Sequence, residues 1–109
     1  MGFKPYATLT DALEGLRQRG FAATFEPVDG RLKSQQTGRL YAPEVLRVIE
    51  HHRYEGASNP DDMSVVYAIE TIDGERGVVV DAFGTYSNPM LGDLLRRARS
   101  DEHPGQRKN

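Results

Sequence analysis

Two runs of apolar residues, joined by a short turn, constrain the fold of this chain more than any other feature. Residues 64–72 and 77–83 are rich in valine, isoleucine and aromatic side chains, which favour strands. Asp73-Gly74 lies between them and is typical of a tight hairpin turn. Both runs are apolar on their two faces, as strands in the middle of a covered sheet require. The sequence therefore predicts an antiparallel hairpin at the centre of a sheet.

A helix is predicted before this hairpin and another after it. Thr8 and Asp11 have the spacing of a capping box, and leucine and alanine then recur at helical spacing. Gly20 ends this first helix, because glycine adopts the left-handed conformation at low cost. Asn88 is a good N-cap for the second helix, and Pro89 a good first helical residue. We expect both helices to cover one face of the sheet.

Shorter strands are predicted between the first helix and the central hairpin. Residues 21–25 alternate large and small apolar side chains, and the Asp29-Gly30 turn returns the chain through residues 31–33. Pro27 has no amide hydrogen to donate to a ladder, so we expect its segment to lie at an edge or a bulge.

Two further segments follow before the hairpin. Residues 39–41 form a short predicted strand. Residues 45–54 fit either of two structures, because Val45, Ile49 and His52 share one face if the segment is helical. Valine, isoleucine and tyrosine favour strands, however, and Gly56 follows in a turn-rich stretch. We therefore interpret residues 45–54 as a strand.

These elements predict a single α+β domain over residues 1–99. It consists of an N-terminal helix, an antiparallel β-meander of about four or five strands, and a C-terminal helix packed on one sheet face. The strands are too close in sequence for parallel crossovers, which take about a dozen residues each. Residues 100–109 are polar and contain Pro104 and Gly105, so we expect a disordered tail.

The composition argues against several classes of function. The 109 residues include no cysteine, which excludes disulfides and thiolate catalysis and fits a cytoplasmic location. The net charge of −2 provides no overall positive field, so we expect no nucleic-acid partner. No apolar run reaches the roughly 20 residues that cross a bilayer, so we expect no membrane association.

Three blocks of the sequence carry a resemblance. Residues 8–21 read Thr-Leu-x-x-Ala-Leu-x-x-Leu-Arg-x-Arg-Gly-Phe, and residues 53–69 contain Glu-Gly-x-Ser-x-Pro-Asp-Asp followed by Ser-Val-Val-Tyr-Ala-Ile. Residues 77–86 read Gly-Val-x-Val-Asp-Ala-Phe-Gly-x-Tyr. Together they resemble a family of small bacterial proteins, of about this length, that often carry the label phosphoribosylpyrophosphate synthetase. The resemblance covers most of the chain but implies no established activity.

The residues after the second apolar run do not fit that label. Proteins that bind phosphoribosylpyrophosphate place two adjacent acids after an apolar strand, followed by a loop whose amides hold the phosphate. Here Asp81 follows the apolar residues, but Ala82 stands in the place of the second acid. Phe83-Gly84-Thr85 is not a phosphate loop. We therefore expect no phosphoribosyl chemistry.

Asp81 is the most unusual single residue, because it lies within an apolar strand. An unpaired buried carboxylate costs several kcal/mol. Asp81 is therefore either a ligand-binding acid with a raised pKa, an acid on the solvated face of the sheet, or the cross-strand partner of Arg53. The two structural alternatives are the commoner ones.

Other polar residues allow a functional and a structural interpretation. Glu55, Asp61 and Asp62 surround one turn and could hold a divalent cation, but their spacing is that of ordinary turn residues. His51 and His52 point to opposite faces of a strand, so they cannot share a metal ion without distortion. We predict no metal site, no cofactor and no catalytic residues.

A sheet covered by only two helices leaves a face or an edge open, and such edges pair with other chains or are protected by charge. We therefore expect a non-enzymatic domain that binds a protein partner or associates with itself, for example as a homodimer. The alternative is a small-molecule or nucleotide-binding protein, whose ligand the sequence does not define. The candidate ligand-binding residues are Arg53, Glu55, Asp61, Asp62, Asp81 and Tyr86.

Overall fold

The structure is a computed structural model that describes residues 8–54, 64–82 and 88–100. It is an α+β domain, as the sequence predicts. In chain order its elements are α1 (Leu9–Gln18), β1 (Ala23–Val28), β2 (Arg31–Ser34), β3 (Leu40–Tyr41), a 3-10 turn (Pro43–Val45), β4 (Leu46–Tyr54), β5 (Ser64–Thr71), β6 (Arg76–Ala82), α2 (Pro89–Arg97) and β7 (Arg99–Ser100).

All these strands belong to one mixed sheet of seven strands, in the order β3-β2-β1-β6-β5-β4-β7. β4, β5 and β6 form an antiparallel meander, as predicted. β1 runs parallel to β6, and β7 runs parallel to β4. The prediction of a purely antiparallel meander of four or five strands is therefore wrong in detail. Both parallel pairings join strands that are distant in sequence, so local turn signals do not mark them.

The local signals for turns and caps are confirmed. The Thr8 hydroxyl oxygen accepts a hydrogen bond of 3.1 Å from the Asp11 amide at the start of α1. Asn88 caps α2 by accepting hydrogen bonds from two backbone amides of its first turn. Asp29 and Gly30 both have positive φ, 52° and 78°, as the two central residues of a tight hairpin turn require.

The interpretation of residues 45–54 as a strand is confirmed from Leu46 onward, while Val45 belongs to the preceding 3-10 turn. The pairing of β4 with β5 shifts register between Val48 and Glu50, which makes Ile49 the extra residue of a bulge. Ile49 packs against the core on the α1 side, whereas Val48 lies in the core on the α2 side.

The two helices lie on opposite faces of the sheet, so the prediction that they cover one face is wrong. The α1 core cluster contains Val66 and Ala68 from β5. The α2 core cluster contains Ile69 from the same strand. Successive residues of a strand point to opposite faces, and β5 is apolar on both, so each face needs its own cover. The apolar residues on both faces of the central hairpin already indicate in the sequence that each face of the sheet needs a cover.

β1 and β6 approach each other closely at Gly77. The partners in this short parallel pairing are Ala23 with Gly77 and Thr24 with Val78. A β-carbon built on Gly77 would lie 2.7 Å from the β-carbon of Ala23. Glycine is therefore required where the first hairpin joins the central strands.

A buried polar network attaches β2 and β3 to the turn between β5 and β6. Ser34, which is fully buried, donates a hydrogen bond of 2.6 Å to one carboxylate oxygen of Glu75. The Tyr41 hydroxyl donates one of 2.7 Å to the other oxygen. Burial and the adjacent Glu75 carboxylate raise the pKa of Tyr41, so its hydroxyl keeps the proton that it donates. Tyr41 also belongs to the α2 core cluster, so the network adjoins that core.

The predicted tail begins too early, because Ser100 pairs with Val48 and so belongs to the sheet. Residues 101–109 lie outside the described residues. Neither of the two helices in the described part of the chain has the length and apolar character needed to cross a membrane.

Candidate functional site

Within the described residues, β4 pairs along one side with β5 and only at its start along the other side. Its pairing with β5 runs from Leu46 opposite Thr71 to Tyr54 opposite Ser64. On the outer side, β7 pairs only with Arg47 and Val48. Among the described residues, no strand lies along the outer side of residues 49–54, which we call the open β4 edge. In general, outward-facing backbone N–H and C=O groups at the edge of a sheet can pair with another strand.

On the α1 face, an ion-pair cluster holds the open β4 edge in place. The Arg19 guanidinium donates hydrogen bonds of 2.9 and 2.7 Å to the two carboxylate oxygens of Glu50. Nε2 of His52 lies 2.8 Å from the same carboxylate. The hydrogen bond from Arg19 is the largest of the effects that lower the pKa of Glu50 to about 2. Glu50 therefore stays ionised at neutral pH, and its role is to hold Arg19 and His52 in place rather than to transfer a proton.

On the opposite face, a groove of about 410 Å³ lies between α2 and the two strands β4 and β5. Its floor includes the rings of His51 and Tyr67, whose centroids are 5.9 Å apart and whose planes are tilted by 33°. We call this cavity the α2 groove. Its lining consists of Val48, His51, Arg53, Tyr67, Gly92, Leu95 and Arg96.

Among the described residues, the charged side chains that line the α2 groove are arginines. Arg53 and Arg96 line it together with the His51 imidazole, and its described lining contains no carboxylate. Arg96 forms an ion pair of 3.0 Å with Asp93, but both of these side chains are largely exposed. The arrangement favours an anionic occupant.

A larger cavity, of about 530 Å³, lies beside α1 above the β1–β6 junction. Its polar groups are already used within the fold. The side-chain oxygen of Gln36 accepts a hydrogen bond of 2.9 Å from the Thr24 amide, and Arg17 pairs with Glu14 at 2.9 Å. With these groups already engaged, the cavity offers few hydrogen-bonding groups to a ligand.

Asp81, a candidate from the sequence, lies near the end of β6. The backbone amide of Asn88 is 3.2 and 3.3 Å from its two carboxylate oxygens, so Asp81 ties β6 to the start of α2. Val65 on the intervening strand lies opposite both Arg53 and Asp81. Arg53 and Asp81 are thus two strands apart, and the hypothesis of an ion pair between adjacent strands does not fit this order.

The other candidates divide into two groups. Arg53 lines the α2 groove. Glu55, Asp61, Asp62 and Tyr86 lie outside the described residues. In the described part of the chain, no three His, Asp or Glu side chains are placed to share a metal ion.

The sequence analysis did not single out Gly92, which lines the α2 groove from the helix. The sequence signal for it was a glycine inside an otherwise good helical pattern, because such a glycine lowers helix stability and often has a packing or functional reason.

Comparisons with family models, with curated proteins and with solved structures find no match to this chain.

Proposed function

We propose that this domain is a non-enzymatic interaction module that pairs with a second copy of itself along the open β4 edge. One observation carries the proposal. Within the described residues, eight of the nine residues of β4 pair with β5, whereas β7 pairs with only two on the outer side. A sheet edge of this kind binds a strand through main-chain hydrogen bonds, each contributing about 0.5–1.5 kcal/mol.

A comparison with β1 supports an interacting role for this edge. The pairing of β1 with β6 ends at Thr24, so the rest of β1 also has a side without a partner among the described strands. That part of β1 contains Pro27, which protects an edge because it cannot donate a hydrogen bond. Residues 49–54 read Ile-Glu-His-His-Arg-Tyr and contain no proline, glycine or lysine. The edge of β4 therefore has no proline along its length, although it begins at the Ile49 bulge and carries the charged residues Glu50 and Arg53.

The charge pattern of the edge is compatible with a second copy as the partner. Glu50 lies near its start on the α1 face, and Arg53 lies near its end on the α2 face. Antiparallel pairing about a two-fold axis aligns the same faces of the two sheets, so Glu50 and Arg53 do not form a cross-strand pair. The formal charges of the edge cancel when its two histidines are neutral. Like-charge repulsion therefore does not oppose self-pairing.

The open β4 edge is also preorganised. Arg19 and Glu50 hold it to α1, and β5 pairs it along its inner side. A strand that is already ordered loses less conformational entropy on binding. The edge extends over about 20 Å at about 3.3 Å per residue, which is the length of a typical strand. The absence of cysteine in the sequence supports a reducing, cytoplasmic setting for this interaction.

Two proline variants, His52→Pro and Arg53→Pro, test the proposal. In an antiparallel strand, adjacent residues direct their amides to opposite edges. One variant therefore removes an outward amide, and the other removes an amide that faces β5. We expect the wild-type chain to sediment as a dimer at micromolar concentration. The variant lacking the outward amide should be monomeric with nearly unchanged thermal stability, whereas the other should unfold at lower temperature.

The control variants are Ile72→Ser and Val80→Ser, which remove exposed apolar side chains elsewhere on the surface. Both should remain dimeric, because general hydrophobic association is not the cause of pairing. A wild-type chain that stays monomeric up to millimolar concentration contradicts the proposal. A dimer that persists in both folded proline variants also contradicts it.

A further inference from the structure

Gly92 is a residue that the fold itself does not explain. It lies inside α2, where glycine is about 1 kcal/mol less favourable than alanine. Its φ is not among the positive values in the described chain, so its backbone conformation does not demand glycine. No atom of a neighbouring element lies within 4 Å of the position that a β-carbon would take. What glycine preserves here is the open space of the α2 groove.

The α2 groove has the size and the surfaces of a small-molecule site. Its volume of about 410 Å³ lies within the range of about 300–1,000 Å³ that is typical of ligand pockets. Val48 and Leu95 give it apolar surface, and the rings of His51 and Tyr67 offer faces on which a planar group stacks.

The cationic side chains specify the rest of the ligand. Arg53 and Arg96 both line the groove, and arginine binds phosphate or carboxylate through two parallel hydrogen bonds. The ion pair between Arg96 and Asp93 does not prevent this. Its side chains are 75% and 60% exposed, and such surface pairs contribute only about 0–1 kcal/mol.

From these features we infer that the α2 groove binds a small anion that carries an aromatic ring. The ring lies against Tyr67 and His51, and the phosphate or carboxylate is held by Arg53 and Arg96. Gly92 provides the space for the ring. This site goes beyond the proposed pairing function, because binding in the groove does not require a second copy of the chain.

Isothermal titration calorimetry with four probes tests the ligand class. Phenyl phosphate and adenosine monophosphate combine a ring with a phosphate, whereas adenosine and inorganic phosphate each lack one of the two parts. We expect at least one of the combined probes to bind in the micromolar to low-millimolar range, and the single-part probes to bind at least tenfold more weakly. Absence of binding by both combined probes at 5 mM overturns the inference. Equal binding of inorganic phosphate overturns the role of the ring.

Three variants locate the site. Gly92→Leu should abolish binding while thermal stability stays equal or rises, since leucine fills the groove and favours the helix. Arg96→Gln should weaken binding of the combined probes at least fivefold and leave binding of adenosine unchanged. Met90→Ala is the matched control, because Met90 lies on the same helix, is 54% exposed and does not line the groove. Unchanged binding in Gly92→Leu would place the ligand elsewhere.

The two proposals fail independently. Sedimentation of Gly92→Leu should give the same dimer as the wild type, because the substitution leaves the backbone N–H and C=O groups of the open β4 edge unchanged. A monomeric wild-type chain that still binds the combined probes contradicts the pairing proposal alone. A dimeric chain that binds neither probe contradicts the groove inference alone.

Discussion

Replacing Gly77 by alanine tests the contact that joins the first hairpin to the rest of the sheet. The new β-carbon would lie 2.7 Å from both the carbonyl carbon and the β-carbon of Ala23. Unstrained carbon atoms stay about 3.5–4.0 Å apart, so the two strands must separate by about 1 Å. The atoms that obstruct the new methyl group belong to the backbone or are attached directly to it. No change of rotamer relieves the clash.

The expected loss in the free energy of unfolding depends on the contacts that β1 makes. Ala23 and Phe25 belong to the α2 core cluster, and β1 links β2 and β3 to the central strands. Overpacking in a core costs about 1–3 kcal/mol, and weakening the two-residue parallel pairing adds about 1 kcal/mol. We therefore expect a loss of about 3 kcal/mol in the free energy of unfolding. For a domain of this size, the melting temperature should fall by about 10–15 °C.

Urea unfolding followed by circular dichroism measures this loss, and Gly92→Ala is the matched control. The same substitution at Gly92 meets no atom of a neighbouring element within 4 Å and favours the helix, so it should raise stability by about 0.5–1 kcal/mol. The reasoning is refuted if Gly77→Ala is as stable as the wild type, because β1 and β6 then do not approach as closely as the structure shows.

Three further variants test the polar contacts beside the proposed sites. Glu50 has a pKa of about 2 in the folded state against 4.5 for a free glutamate, so its stabilisation is complete above pH 4.5 and is lost as the pH falls toward 2. Arg19 is 47% exposed and solvent screens the pair, so Glu50→Gln should cost about 1–2 kcal/mol at pH 7 and much less at pH 2.5, as measured by urea unfolding. Equal costs at the two pH values would contradict the ion pair. Asp81→Ala should lower stability by about 1 kcal/mol, while Asp81→Asn keeps an acceptor oxygen for the Asn88 amide and should retain much of it. Calorimetry should show unchanged probe binding in both Asp81 variants, and lost binding would instead make Asp81 part of the ligand site.

Most of the local structure was predictable, because its causes lie within a few residues of sequence. The hydroxyl oxygen of Thr8 caps α1 and the side-chain oxygen of Asn88 caps α2, each by accepting a hydrogen bond from a backbone amide two or three residues away. The Asp29-Gly30 turn has the positive φ values that its residue types favour. The strand over most of residues 45–54 follows from β-branched and aromatic residues, although the competing helical spacing left that choice open.

The candidate site was predictable only in part. Arg53 was recognised from the sequence as a candidate, and it lines the α2 groove. Its relation to Asp81 could not be predicted, because that depends on which strand lies between them. Gly92 and Arg96 come from a helix that is distant from β4 in sequence, and only the packing of α2 on the sheet brings them to the groove.

The sequence alone determined the class of the protein, its helix caps, its hairpin turns and the apolar strands at its centre. Each of these depends on the dihedral preferences of single residues or on hydrogen bonds between near neighbours. Only the tertiary structure decided that β1 runs parallel to β6, that the helices take opposite faces, and that a groove lined by Arg53 and Arg96 lies between β4 and α2. These features depend on contacts between segments far apart in the chain. Such contacts depend on how well surfaces fit together, and no short stretch of sequence encodes that fit.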